Sequence, residues 1–224
     1  RIDRTLARLL AHLDREVGLA RCLIVLTADH GIMPLPEHVQ RTQPGTPAGR
    51  VKPAEMDAAA VKALDARFGA LPKGEAWFTR DGAGIHLRPT ALAARGATAA
   101  DAARIVRDVW AKLPYIAAVH TREEVLATAA NASGILGALR RGYRAANDRD
   151  VVYAFQRNFV AKSGAGVSHG SPHDYETHVP LVFSGPGVPR GQRDEKVSVE
   201  DLAPTLAALL GVPAPATATG RRLF

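Results

Sequence analysis

The sequence predicts an α/β fold in which helices flank a core sheet and an α+β subdomain is inserted into the chain. Two apolar runs, one starting at Leu23 and one at Val179, are each adjacent to polar residues that include histidine. Short strand-like and alanine-rich segments separate the two runs and interrupt this core pattern. Open α/β sheets place their ligand sites at strand ends, because the chain turns outward there. The sequence therefore predicts one shared site where polar residues adjoin the two core strands.

The first elements are a helix and a strand. The apolar residues of segment 1–17 recur at helical spacing, and the helix is expected to end near Gly18. The strand that follows leads to Asp29 and His30, and Gly31 lets the backbone turn sharply behind them. Five prolines and two glycines within residues 34–53 predict a surface loop.

The middle of the chain has the pattern of an α+β subdomain. Helices are expected over 54–68 and 99–113, with a hairpin around Asp81 and Gly82 between them. A strand over 116–120 is followed by Thr121 and Glu124, the spacing of a capping box. Residues 151–155 form the next strand, and 199–211 read as a helix. The predicted division is a core segment at 1–34, an insertion at 35–150 and a second core segment at 151–224.

Composition limits the classes of function. No apolar run approaches the roughly 20 residues that span a bilayer, so no membrane span is predicted. The net charge of +7 is spread over scattered arginines, which suits attraction of an anionic substrate better than specific nucleic-acid binding. A single cysteine, Cys22, excludes an internal disulfide and a cysteine-rich zinc site. The helix at the very start, with no methionine or export signal before it, predicts a chain that begins inside a larger protein.

Two polar clusters carry the candidate chemistry. Asp29 and His30 follow the first core strand, and the segment from His169 to His178 precedes the second. A carboxylate and imidazoles can hold a metal ion, and two such clusters beside two strands suggest one shared site. The simpler interpretation of Asp29 and His30 alone is an ordinary turn in which the carboxylate accepts backbone hydrogen bonds.

Three segments, 27–31, 168–183 and 199–212, together resemble the C-terminal half of the alkaline phosphatase superfamily. The resemblance is to bacterial single-chain alkaline phosphatases and to type I phosphodiesterases and nucleotide pyrophosphatases. It implies an alkaline-phosphatase-like central sheet and a site with two zinc ions. The family's nucleophile, its Asp partner and an Asp-x-x-x-His pair normally precede this region, so the N-terminal half is expected to be missing here.

The same resemblance implies roles for four residues. Asp29 and His30 would bind the zinc that activates a Thr or Ser nucleophile, and His169 would complete the shell of the other zinc. His178 stays open as an alternative ligand or as a group that orients the ligands. His173 and Asp174 are expected to belong to a solvated turn.

The implied function is zinc-dependent hydrolysis of phosphate monoesters through a phosphoenzyme whose nucleophile lies upstream, so that this fragment alone would be inactive. A nucleotide pyrophosphatase or phosphodiesterase is one alternative, and a non-catalytic binding fragment is another. The expected partner is a small phosphate ester, and the expected location is periplasmic or secreted.

Overall fold

The computed structural model describes residues 1–146 and 148–224, and these divide into two compact units. The first unit comprises Arg1–Asp29 and Val179–Phe224, and the second comprises His30–His178. The three-part division predicted from the sequence stays a prediction. Across the described residues, no helix combines the length and the apolar character that a bilayer crossing requires.

The first unit contains the two core strands. Strands β1 (Ile24–Thr27) and β8 (Leu181–Ser184) pair antiparallel, with Ile24 opposite Ser184 and Thr27 opposite Leu181. Both strands were expected from their apolar runs, and both are confirmed. Asp29 follows two residues after β1. The elements of this unit are α1 (Ile2–Glu16), a 3₁₀ turn (Leu19–Arg21), β1 (Ile24–Thr27), β8 (Leu181–Ser184), a second 3₁₀ turn (Val199–Asp201) and α9 (Leu202–Leu210).

Asp201 joins the start of α9 to the C-terminal segment. Its buried carboxylate accepts hydrogen bonds from the backbone N–H of Ser198 at 2.9 Å and of Arg221 at 2.7 Å. Nearby, the Thr205 hydroxyl accepts from the N–H of Leu223 at 3.1 Å. Helix α9 ends at Gly211, whose left-handed conformation (φ 66°) suits glycine. The bonds to Asp201 and Thr205 satisfy one backbone donor before the helix, that of Ser198, and two in the C-terminal segment, those of Arg221 and Leu223.

The hydrogen bond from the Ser198 N–H lowers the pKa of Asp201 below its ordinary value, and the Arg221 N–H adds to this against the opposing effect of burial. A depressed folded-state pKa stabilises the protein above the unfolded-state value of about 4, and this stabilisation is lost as pH falls through the folded-state pKa. We expect Asp201→Asn to lower the free energy of unfolding by about 1–2 kcal/mol at pH 7 and to remove this acid-dependent loss. Melting curves between pH 3 and 7 would measure it, with exposed Asp3→Asn as the control. Parallel pH profiles for wild type and Asp201→Asn would contradict the assignment.

The second unit is built on a four-stranded antiparallel sheet. Its strands lie in the order β3 (Phe78–Asp81), β4 (Gly84–Leu87), β6 (Val151–Phe155) and β5 (Ile116–Thr121). Helices α3 (Pro53–Phe68) and α5 (Ala99–Trp110) contribute many of the buried residues of its core. The short strands β2 and β7 pair parallel. The elements are α2 (Pro36–Thr42), β2 (Gly49–Arg50), α3 (Pro53–Phe68), β3 (Phe78–Asp81), β4 (Gly84–Leu87), α4 (Pro89–Ala94), α5 (Ala99–Trp110), β5 (Ile116–Thr121), α6 (Arg122–Ala127), α7 (Gly134–Gly142), β6 (Val151–Phe155), β7 (Phe159–Val160) and α8 (Asp174–Thr177).

Several predicted elements of this unit are confirmed. The Asp81–Gly82 hairpin joins β3 to β4, and the helices over 54–68 and 99–113 appear as α3 and α5. The Thr121 hydroxyl accepts from the Glu124 N–H, and the Glu124 carboxylate accepts from the Thr121 N–H at 2.9 Å, which completes the predicted capping box.

The prediction of a surface loop over 34–53 was wrong in part, because this segment contains α2 and β2. Pro36 occupies the first turn of α2, where a missing N–H costs no intrahelical bond and the fixed φ favours the helix. Val39 is buried on this helix. The prolines of this segment therefore start structure as well as interrupt it.

Candidate functional site

Asp29 and His30 lie where the first core strand gives way to the loop that follows it. Asp29 is exposed and is the last residue of the N-terminal part of the first unit, and His30 is half-buried and opens the second unit. The side chains thus occupy the strand end at which the sequence predicted a site.

Within the second unit, His30 meets His169, the histidine favoured from the sequence. The two imidazole rings stack with their centroids 3.7 Å apart and their planes 13° from parallel. The two residues are separated by more than a hundred positions in the chain. The stack places two imidazoles, which bind metal ions in their neutral form, next to each other.

The hydrogen bonding of His30 fixes its tautomer. Its Nδ1 lies 2.6 Å from the carbonyl oxygen of Gly31, and a carbonyl can only accept, so Nδ1 carries the proton. In the neutral ring the lone pair is then on Nε2. Metal-binding histidines typically have their other ring nitrogen held by a carbonyl or carboxylate in this way.

Helix α8 connects the two histidine-bearing loops. The Gly31 N–H donates to the carbonyl oxygen of Glu176 at 2.7 Å. The Glu176 carboxylate in turn accepts from the N–H groups of Gly170 and of Ser171, the latter at 2.7 Å. Glu176 is only 4% exposed. One residue therefore bonds to the backbone directly after His30 and directly after His169.

Gly31 has no room for a side chain at this junction. A Cβ there would lie 2.2 Å from the carbonyl oxygen of Tyr175. Gly170 has a φ of +107°, a conformation that other residues rarely adopt. Gly31 thus allows close backbone packing beside His30, and Gly170 allows the backbone turn directly after His169.

The remaining polar residues of the second cluster have structural partners or are exposed. His173 precedes α8 and its Nε2 lies 2.8 Å from the Phe155 carbonyl, so it is more ordered than the solvated turn predicted for it. Asp174 is exposed, and its hydrogen bond from the Arg157 guanidinium lowers the pKa of that carboxyl below its usual value. His178 is exposed at the end of α8, three residues before β8 rather than at its start, and its role as a ligand stays a prediction.

The sequence identified the histidines but missed the function of Glu176 in holding the loop. Glu176 was visible only as one polar residue of the cluster. Glu176 lies three residues after His173, which precedes the short helix α8. This spacing is a faint sequence signal of the helix on which Glu176 is buried.

A cavity of about 550 Å³ in the second unit borders His169. This volume is within the range of small-molecule sites, about 300–1,000 Å³. Its lining is mainly apolar and includes Met33, Leu139, Tyr143 and Phe155, with Ser168 and His169 on the histidine loop.

The donor chemistry of these residues suits zinc, which binds carboxylate oxygen and neutral imidazole together. The tautomer of His30 and the parallel stack with His169 agree with that use. In the part of the chain that the structure describes, no three or more His, Cys, Asp or Glu side chains form a group that could hold a metal by itself. The described residues could thus supply some, but not all, of the ligands of a metal ion.

The family model for type I phosphodiesterase / nucleotide pyrophosphatase matches residues 1–150. The chain belongs to this family. Curated relatives include alkaline phosphatase PhoV of Synechococcus elongatus, 23% identical over 99% of this chain and 38% of the relative. Alkaline phosphatase PafA of Elizabethkingia meningoseptica is 26% identical over 99% of this chain and 39% of its own length.

A crystal structure of wild-type alkaline phosphatase PafA superimposes on 99% of the chain with a TM-score of 0.87 at 24% identity, and the match covers 41% of that structure. This likeness confirms the predicted α/β fold. The chain spans about two fifths of the length of the relatives it matches.

Proposed function

We propose that this protein hydrolyses phosphate monoesters with two zinc ions. The observation that carries the proposal is the parallel stack of His30 on His169, 3.7 Å between ring centroids, in a chain of this family. That separation is close to the roughly 3.5–4 Å between the ions of two-metal sites. Ligands of one tetrahedral ion approach it from diverging directions, so two parallel rings suit two neighbouring ions better than one.

In this proposal Asp29 and His30 hold one zinc, and His169 holds the other. The Asp29 carboxylate offsets part of the charge of its ion. His30 binds through Nε2, because its Nδ1–H donates a hydrogen bond to the Gly31 carbonyl. Zinc usually takes four ligands, so the remaining ones would come from outside these 224 residues. His178 is the alternative ligand within the chain.

When bound, the two ions neutralise charge on the attacking and leaving oxygens of an in-line displacement at phosphorus. The nucleophile would be a Thr or Ser outside these 224 residues, and water would hydrolyse the resulting phosphoenzyme. The apolar cavity beside His169 offers space for the organic part of the ester. The net charge of +7 favours the approach of an anionic substrate. Location in the periplasm or outside the cell is proposed with this activity, as expected for the family.

A diesterase is the second candidate, because the family model that matches the chain describes phosphodiesterases and nucleotide pyrophosphatases. The two activities differ in the groups that contact the nonbridging oxygens and the leaving group. A non-catalytic binding fragment is the third candidate, since the described residues supply only part of a metal shell.

Side-by-side hydrolysis of an aryl phosphate and its methyl diester by the zinc-loaded full-length protein would test the proposal. We expect faster turnover of the monoester. Asp29→Ala should lower kcat/KM at least about 100-fold, because metal stabilisation of the transition state contributes several kcal/mol and about 1.4 kcal/mol corresponds to tenfold.

Exposed Asp194→Ala serves as the control and should keep wild-type activity. Faster turnover of the diester would assign the protein to the phosphodiesterases. Activity on neither ester, with the protein folded, would favour the binding fragment.

A further inference from the structure

Glu176 is a buried acid with an unusual set of partners. Glutamate is rarely this buried unless its charge is paired, and no cation lies within ion-pair distance of Glu176 among the residues that the structure describes. Its carboxylate is instead compensated by two backbone N–H groups, those of Gly170 and Ser171. Removing a carboxylate from water is costly, so these two bonds must recover much of that cost.

Both donors lie directly after His169. Gly170 has a φ of +107°, which glycine adopts without strain, so the bonds to Glu176 rather than local backbone preference hold the loop in this conformation. The backbone carbonyl of Glu176, in helix α8, accepts a hydrogen bond from the Gly31 N–H at 2.7 Å. The Glu176 side chain therefore fixes the His169 loop to the segment that carries His30.

We propose that Glu176 is a positioning residue that sets the direction of the His169 imidazole for metal binding. It acts on His169 through the backbone N–H groups of the loop. The proposal rests on the proposed function. Groups that orient a metal ligand in this indirect way typically change metal affinity by about 10–100-fold when removed.

Glu176 contacts the two histidine loops through different groups, one in its side chain and one in its backbone, so its effects on the two histidines can be tested separately. Among the residues that the structure describes, the Glu176 carboxylate accepts hydrogen bonds from the His169 loop alone. The contact beside His30 is made by the Glu176 backbone carbonyl, which every substitution keeps. Truncation of the Glu176 side chain should therefore weaken zinc binding by His169 and leave zinc binding by Asp29 and His30 unchanged.

The test is zinc titration of the full-length apoprotein against a chromophoric chelator, with wild type, Glu176→Ala, Glu176→Gln and His169→Ala compared. In Glu176→Ala we expect one of two zinc equivalents to bind about 10–100-fold more weakly and the other to bind as in wild type. Glu176→Gln keeps an acceptor oxygen without the charge and should fall between the two. Glu75→Gln, at an exposed glutamate of the same unit, is the matched control and should bind zinc as wild type does.

A double mutant decides whether Glu176 acts through His169. Adding Glu176→Ala to His169→Ala should cost no further zinc affinity, because the ligand that Glu176 positions is already gone. Additive losses, equal weakening of both zinc equivalents, or unchanged affinity in Glu176→Ala would overturn the proposal. If Glu176→Ala does not fold, the same comparison is made with Glu176→Gln.

The outcomes also separate this inference from the proposed function. Two bound zinc ions and ester hydrolysis in wild type, with unchanged zinc affinity in the Glu176 variants, would leave the proposed function intact and reject the positioning role. A wild-type protein that binds no zinc and hydrolyses no ester would overturn both.

Discussion

Replacement of Trp110 by alanine is expected to lower the free energy of unfolding of the second unit by about 3–5 kcal/mol. The indole is completely buried and meets the rings of Phe78 and Tyr153 edge-on, at 6.5 and 5.5 Å between centroids. Its N–H donates to the Met56 carbonyl at 2.9 Å, and the Arg80 guanidinium lies 5.3 Å above its ring. The alanine would leave a large cavity, remove the hydrogen bond to the Met56 carbonyl and take away one of the two aromatic rings beside Arg80.

Scanning calorimetry of the full-length protein would measure this loss. For a unit of this size we expect the melting temperature to fall by roughly 6–20 °C. Trp110→Phe is the matched control, since it keeps an aromatic ring and removes mainly the bond to the Met56 carbonyl. A melting temperature that is unchanged in Trp110→Ala would mean that the second unit does not depend on this core.

The elements that were predicted correctly are those with strong local signals. The Asp81–Gly82 turn favours a tight hairpin, and Thr121 with Glu124 satisfies backbone donors within one helical turn. These features need no contact from distant parts of the chain. Residues 34–53 were harder, because a proline that ends one segment can also begin a helix, as Pro36 does.

In the candidate site, too, the residues with a local sequence signal could be predicted, and the contacts between distant segments could not. Asp29, His30 and His169 stand out because their residue types and motif context are visible in the sequence. The 3.7 Å stack and the bonds of Glu176 join segments far apart in the chain, and nothing in local composition specifies them. The stack, moreover, depends on backbone packing at Gly31, which sequence analysis had assigned only to a sharp turn.

Gly31→Ala is expected to disturb the junction between the two histidine loops. The new Cβ would lie 2.2 Å from the Tyr175 carbonyl oxygen, so either α8 or the Gly31 backbone must move. Such a shift would strain the 2.7 Å bond from the Gly31 N–H to the Glu176 carbonyl and separate His30 from His169. We expect a destabilisation of about 1–3 kcal/mol, typical of overpacking. Zinc affinity should also fall by about 10–100-fold, because the supports of both ligands move together.

Gly142→Ala provides the matched control for Gly31→Ala. Gly142 ends α7 in the same unit, and a Cβ there meets no atom within 4 Å. It should be neutral or slightly stabilising, since alanine restricts the unfolded chain without strain in the folded one. Zinc titration and thermal melting of both variants in the full-length protein would then distinguish a steric effect at the junction from a general effect of losing a glycine. Gly31→Ala changes only the space available for α8 to pack on residue 31. If this variant binds zinc as tightly as wild type, close packing of α8 on Gly31 does not bring the two histidines together.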